Sequence, residues 1–302
     1  MGSDQAQVDT IRETITDEIF YALGLSRSGW SRRIFGTIFR RPASRFAELA
    51  VSFDITVSEQ GLCQASRLYI PQFIESVQVS GEEHIPANGP VLLTTNHPGT
   101  YDGFIITANL PRDDIKVVIS GVPFVQSFPA TSRYLIYTPY DTQERIKTVR
   151  TAVRHLKNGG VLMIMPRGNV DPDPAFMPGA HEALDLWSPS LALFLRQVPQ
   201  TSVQVTTVSG VLDPKFLRNP IVNIRRRDVE RQKLAEFIQI MTQLFSTRKV
   251  SIKPSLSFAP LLTPQDLQKT AGTQGLMQLI TDHAHNALDD HITTFSLPTH
   301  PD

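Results

Sequence analysis

The spacing of apolar residues changes once along the chain, near residue 75. Between Asp4 and Leu25, Val8, Ile11, Ile15, Ile19 and Leu23 recur every three or four residues, which predicts a helix. Ser28–Arg41 carries Trp30, Ile34, Phe35, Ile38 and Phe39 on a second helical stripe, and Phe46–Ile74 continues it with breaks at Gly61 and Pro71. After Pro71, short apolar runs alternate with helical patterns. Val77–Val79, Val91–Thr95, Lys116–Ile119, Leu135–Thr138, Val161–Met165 and Val203–Val208 read as strands. Asp102–Leu110, Asp141–Lys157, Asp228–Phe245 and Pro264–Leu288 read as helices. Asp141 with Glu144 fits a capping box, Gly159 sits where a C-cap would, and Thr263 caps a helix that opens on Pro264. The expected fold is α/β: a mixed, mostly parallel sheet flanked by helices, preceded by a smaller helical N-terminal region. The boundaries are 1–75 for the helical region, 76–292 for the α/β domain and 293–302 for a frayed tail.

Composition narrows the function classes. The chain has 302 residues, long enough for a sizeable core, with 29 basic and 29 acidic residues and a formal net charge of zero. A charge balance of that kind argues against a nucleic-acid binder. A 41% hydrophobic share excludes a disordered chain. Cys63 is the only cysteine, so no internal disulfide forms and a reducing compartment is expected. No apolar run approaches the roughly 20 residues that span a bilayer, and the first residues resemble neither a signal peptide nor, with Ala6 where Ser or Thr is wanted, a myristoylation site. The expected location is cytoplasmic, or peripheral at the inner face of the membrane.

One segment carries chemistry: Val91-Leu-Leu-Thr-Thr-Asn96-His97-Pro98-Gly99-Thr100-Tyr101-Asp102-Gly103. A buried strand leads directly into His97, and Asp102 starts the next helix. Strand ends in open α/β sheets are where ligand sites collect. A carboxylate on the imidazole Nδ1 would fix its tautomer and stabilise the imidazolium, so the pair can take a proton from an attacking alcohol. Gly99 and Gly103 would let the loop turn tightly. On the bland reading, His97 is a loop histidine and Asp102 a helix cap.

The context resembles the glycerophospholipid acyltransferase family. Val79-Ser-Gly-Glu-Glu-His-Ile-Pro86, then Gly89-Pro90 and the strand, leads into Asn96, His97 and Asp102, which match the family's Asn-His-x-x-x-x-Asp motif. Val161-Leu-Met-Ile-Met-Pro166-Arg167-Gly168, 71 residues further on, is similar to the third motif, and Val198-Pro199 before Val203–Val208 to the fourth. The resemblance covers roughly Val77 to Asp213. It implies acyl transfer from acyl-CoA or acyl-carrier protein to the hydroxyl of glycerol 3-phosphate or a lysophospholipid. His97 would be the base, Asp102 its orienter, and Pro166, Arg167 and Gly168 part of an acceptor pocket that includes Asn96. No acyl-enzyme and no bound cofactor are implied. Arg167 stands where the family often has Glu, and could clamp a phosphate. Thr138 stands where an Arg is expected in the second motif, with Arg133 or Arg145 as substitutes. The alternatives are an acceptor without phosphate, an alcohol or amino lipid, or a catalytically weak lipid-binding protein on the same fold.

Other features are ambiguous. Trp30, Phe35 and Phe39, flanked by Arg32, Arg33, Arg40 and Arg41, suggest contact with an anionic membrane surface, or else a helix packed in the N-terminal region with its arginines in solvent. Arg218, Arg225, Arg226 and Arg227 could receive coenzyme A or an acidic carrier protein, or be a solvated run. Leu92, Leu93, Phe104, Ile105, Val122 and Phe124 are candidates for an acyl channel, with core packing as the default. His283 and His285 lie two apart on a helix and point different ways, so no metal site is expected near Asp282–His291.

Overall fold

The computed structural model describes residues 11–14, 16, 30–120, 123–138, 142–245, 251–270 and 272–298, with backbone alone at 30–36, 38, 123–124 and 142–145. Two helices come first, α1 (Trp30–Gln60) and α2 (Leu62–Tyr69). A seven-stranded sheet follows: β1 (Gln78–Ser80), β2 (Val91–Thr95), β3 (Ile115–Ser120), β4 (Leu135–Thr138), β5 (Val161–Ile164), β6 (Ser202–Ser209) and β7 (Ser255–Phe258). Its order is β1-β7-β6-β2-β5-β3-β4, and only the β6–β7 pair is antiparallel. The flanking helices used below are α3 (Asp102–Asn109), α4 (Thr142–Lys157), α5 (Ala180–Asp185), α6 (Ser190–Gln197), α7 (Asp228–Phe245) and α8 (Gly272–Thr294).

The central strands explain the order. Every residue of β2 and β5 is buried, as expected where helices cover both faces of a parallel sheet. Alternate side chains feed opposite layers: Leu93 and Met163 join Ile105 and Leu110 on one side, Leu92 and Leu162 join Leu156 and Leu195 on the other. Strand β7 was not expected from the sequence. Its Ser-Leu-Ser-Phe run is short and half polar, but Leu256 and Phe258 are buried between β1 and β6.

The N-terminal helices share the core of the sheet. From Trp30 on, the expected Ser28–Arg41 helix joins the start of Phe46–Ile74 in one helix that runs through Pro42, and Ser28 and Gly29 lie outside the described residues. The breaks expected at Gly61 and Pro71 are present: Gly61 has φ +84°, and Ile70–Gln72 is a 3-10 turn. Val57, Leu62, Cys63 and Ala65 pack in the same cluster as Leu93 and Ile105. Asp54 of α1 accepts bonds from the backbone N–H of Thr131 at 2.7 Å and of Ala130 at 3.3 Å. Ile11 is buried beside Ala43, Ala47 and Met241; the rest of the Asp4–Leu25 helix, apart from residues 12–14 and 16, lies outside the described residues, as does Asp141. The single helix expected over Pro264–Leu288 divides into Pro264–Gln268 and α8, and α8 runs on to Thr294, into the tail that was expected to fray.

Candidate active site

Asn96 fixes where β2 ends. Its side-chain amide donates to the Val208 carbonyl at 2.8 Å and accepts from the Val208 N–H at 2.8 Å, as a peptide group would. The side chain therefore extends the β2–β6 ladder by one step, and His97 leaves the sheet at the carboxyl edge. The expected acceptor role of Asn96 gives way to this positioning one. Helix α3 is held from behind: Arg67 donates to the carbonyls of Ala108 and Leu110, and Thr107 to Ser66.

Asp102 then faces His97. Its Oδ2 lies 2.6 Å from His97 Nδ1 and accepts from the Gly99 N–H at 3.2 Å, while Oδ1 accepts from the Gly103 N–H at 2.5 Å. The Asp102 side chain is 2% exposed and that of His97 is 28% exposed. Nδ1 is engaged, and among the described residues Nε2 has no protein partner. Burial disfavours the imidazolium, but the Asp102 charge and hydrogen bond, with Glu236 and Asp171 behind, outweigh it and lift the His97 pKa to about 9.

The loop after β5 closes the other side of His97. The His97 N–H donates to Asp171 Oδ2 at 2.7 Å, and the Asp171 N–H donates to the His97 carbonyl at 2.7 Å. Arg167 Nη1 donates to Asp171 Oδ1 at 3.0 Å and to the Val170 carbonyl at 2.7 Å. Arg167 is thus a brace on the residue that holds the His97 backbone, rather than the free guanidinium expected of a phosphate clamp. Gly168, with φ +69°, makes the turn after Pro166. Asp173 is fully enclosed and accepts from the N–H groups of Ala175, Gly210 and Val211, which ties the loop to the end of β6; burial pushes its pKa up to about 6.

Helix α7 supplies a feature that apolar periodicity hid. Gln232, Glu236, Gln239 and Gln243 recur at spacings of four, three and four, and all are buried. Gln232 donates to the carbonyls of Pro98 and Asp171, each at 2.8 Å. Glu236 accepts from Thr100 Oγ1 at 3.0 Å. Gln239 donates to the Val211 carbonyl and accepts from the Asp213 N–H. Gln243 accepts from Tyr101 Oη at 2.5 Å and donates to the Phe73 carbonyl at 2.7 Å. One polar seam therefore reads the whole Pro98–Tyr101 segment. This seam, like Asp171 and Asp173, was not expected from the sequence. The signal was present: Gln and Glu at helical spacing, and Asp171-Pro-Asp-Pro shortly after the third motif, beyond Asn169 and Val170.

The glycines act differently from expectation. Neither Gly99 nor Gly103 has a positive φ. A Cβ on Gly99 would lie 2.9 Å from Glu236 Oε1 and 3.0 Å from Val211 Cγ2, so close approach requires glycine there. On Gly103 a Cβ would meet only ordinary contacts, 3.8 Å or more away.

The remaining candidates scatter. Thr138 ends β4 on the His97 edge but two strands, β5 and β3, stand between it and β2, and its hydroxyl donates to the Ile119 carbonyl at 2.9 Å. Arg133 is exposed and precedes β4, on the opposite edge by register. The side chains of Arg145, Trp30, Arg32, Arg33, Phe35 and Phe124, and Val122 altogether, lie outside the described residues. Phe39 is half-buried with its ring 6.3 Å from that of Phe245, whereas Arg40 and Arg41 are exposed. Leu92, Leu93 and Ile105 are fully buried in core packing and Phe104 is half exposed against Phe53. His283 binds the Pro260 carbonyl and His285 meets Asp185 and His181, so the two diverge as expected.

The His97–Asp102 pair thus stands at a strand end of a mixed α/β sheet. Residues 76–190 match the family model described as Acyltransferase, a stretch that contains both strand-end loops around His97. The match spans 115 of the 302 residues and stops short of α7. No curated protein matches the chain. A similar solved structure is that of the 1-acyl-sn-glycerophosphate (LPA) acyltransferase PlsC from Thermotoga maritima, with 12% identity over 95% of this chain and 97% of that chain and a TM-score of 0.45.

Proposed function

We propose that the protein transfers a fatty acyl group from a thioester, acyl-CoA or acyl-carrier protein, to the hydroxyl of glycerol 3-phosphate or a lysophospholipid-like acceptor. The observation that carries this reading is the 2.6 Å contact between His97 Nδ1 and Asp102, which leaves Nε2 for the substrate. The acceptor O–H gives its proton to Nε2 as its oxygen bonds the thioester carbon. The C–S bond then breaks, and the imidazolium returns the proton to the departing sulfur. Asp102 holds the tautomer and balances the transient charge. No covalent acyl-enzyme is needed.

A second reading keeps the reaction and changes the acceptor. Arg167 is engaged on Asp171, and Thr138 on a carbonyl, so neither altered motif offers a free cation. That favours an alcohol without phosphate. A phosphate acceptor would instead draw on exposed cations beside the loop, such as Lys233, which contacts Asn169 at 2.8 Å. Contact of the N-terminal arginines with an anionic membrane fits either acceptor, and among the described residues no helix is long and apolar enough to cross a bilayer.

The test is a mass-spectrometric assay with palmitoyl-CoA and palmitoyl-carrier protein against glycerol 3-phosphate, lysophosphatidate and several neutral alcohols, with His97→Ala as control. Product from a phosphate acceptor that vanishes in the variant supports the first reading. Product from neutral alcohols alone supports the second. Bound thioester with no transfer to any acceptor would overturn both.

A further inference from the structure

The dyad has a third carboxylate next to it. Glu236 sits on α7, is 7% exposed, and reaches the loop between His97 and Asp102 at Thr100. Its Oε2 accepts from the Thr100 hydroxyl at 3.0 Å, and the Thr100 N–H also faces the carboxylate. Among the described residues its buried Oε1 has no hydrogen-bond partner, and it lies where a Cβ on Gly99 would come within 2.9 Å. A buried, half-satisfied carboxylate costs stability.

The neighbours on the seam show what packing alone would require. Gln232, Gln239 and Gln243 each fasten a backbone or side-chain group with an uncharged amide. A fourth glutamine at 236 could accept from Thr100 equally well. The acid adds a charge, and that charge lies among Asp102, Asp171 with its partner Arg167, His97 and Tyr101.

We propose that Glu236 is a positioning residue that fixes the Gly99–Thr100 turn and whose charge helps to hold the proton on His97. The inference rests on His97 being the base of the proposed reaction, but its central test does not depend on turnover. Burial pushes the Glu236 pKa up to about 7, against the opposing Thr100 hydrogen bond. Glu236 therefore gains charge below the pH at which His97 loses its own, and the two titrations are linked. The His97 proton is held more tightly once Glu236 has ionised. Asp102 and Asp171 pull in the same direction, and Arg167, paired with Asp171, opposes them.

The experiment follows the His97 ring by NMR as pH is raised in the full chain, wild type against Glu236→Gln and Thr100→Val. Glu236→Gln keeps the shape and the Thr100 contact but removes the charge; Thr100→Val removes the hydroxyl contact and keeps the charge. The expected result is a His97 midpoint lowered by about 0.5 to 1 pH unit in Glu236→Gln, with a smaller change in Thr100→Val. The low-pH limb of the acyl-transfer rate should move with the NMR midpoint. In wild type, the His97 resonance should also show an inflection near the midpoint of the Glu236 carboxyl carbon, a reading that needs no variant to fold. An unmoved midpoint in Glu236→Gln, or a wild-type His97 curve that ignores Glu236, overturns the inference. A moved midpoint without acyl transfer would instead leave Glu236 in place and remove the acyltransferase reading.

Discussion

Two loops leave the carboxyl edge of the sheet beside each other, and each brings one buried aspartate to His97. The loop after β2 aims Asp102 at the ring; the loop after β5 aims Asp171 at the backbone N–H. The groups are chemically the same and both nearly enclosed, at 2% and 3% side-chain exposure. Their effects differ because of the atom each meets. Asp102 acts on an atom that titrates, so it biases the proton. Asp171 acts mainly on an amide that does not, so it fixes where the ring stands, and Arg167 balances its charge.

That comparison can be broken by substitution. His97→Ala removes the proposed base and, on that reading, should lower the transfer rate by about 10⁴-fold or more, to the level left by substrate binding alone. Unchanged far-UV circular dichroism would show that the fold persists. Asp102→Asn should lower the rate by about 10³-fold, because an asparagine amide turned toward Nδ1 favours the wrong tautomer. Asp171→Asn should cost about tenfold in rate and, through the weakened Arg167 and His97 contacts, about 1–3 kcal/mol of stability in urea denaturation. Were Asp171→Asn as damaging to rate as Asp102→Asn, with stability unchanged, the division between ring and backbone would fail.

The pH dependence sharpens the same contrast. On the proposed mechanism His97 must be neutral to act, and its pKa is raised to about 9. The value of kcat/KM should therefore climb as pH rises and level off above about 9. A profile already flat from pH 7 upward would contradict the carboxylate cluster. Stability has the opposite sign. His97 carries a higher pKa when folded than its ordinary 6.5, so its contribution is complete below pH 6.5 and fades as pH rises through about 9. Thermal melts of wild type and Asp102→Asn across that range should converge at the alkaline end.

Much of the frame was legible because it follows from local rules. Six of the seven strands were readable as apolar runs, and Asp228–Phe245 from its period. β7 escaped because Ser255 and Ser257 dilute its pattern, and only the edge of β6, with β1 beyond, gives Leu256 and Phe258 a place to be buried. At the site, the spacing of His97 and Asp102 across one strand-to-helix turn determined the dyad. The chain itself set that Asn96 precedes the base and that an aspartate opens the next helix. Only the tertiary structure decided what surrounds them. Asp171 lies 74 residues from His97 and Glu236 lies 136 residues from Thr100, distances over which no periodicity links one side chain to another. Arg167 looked free in sequence and is engaged in space. A hydrogen bond between distant residues depends on how the sheet orders its strands, and that order is set by burial of the whole core rather than by any local segment.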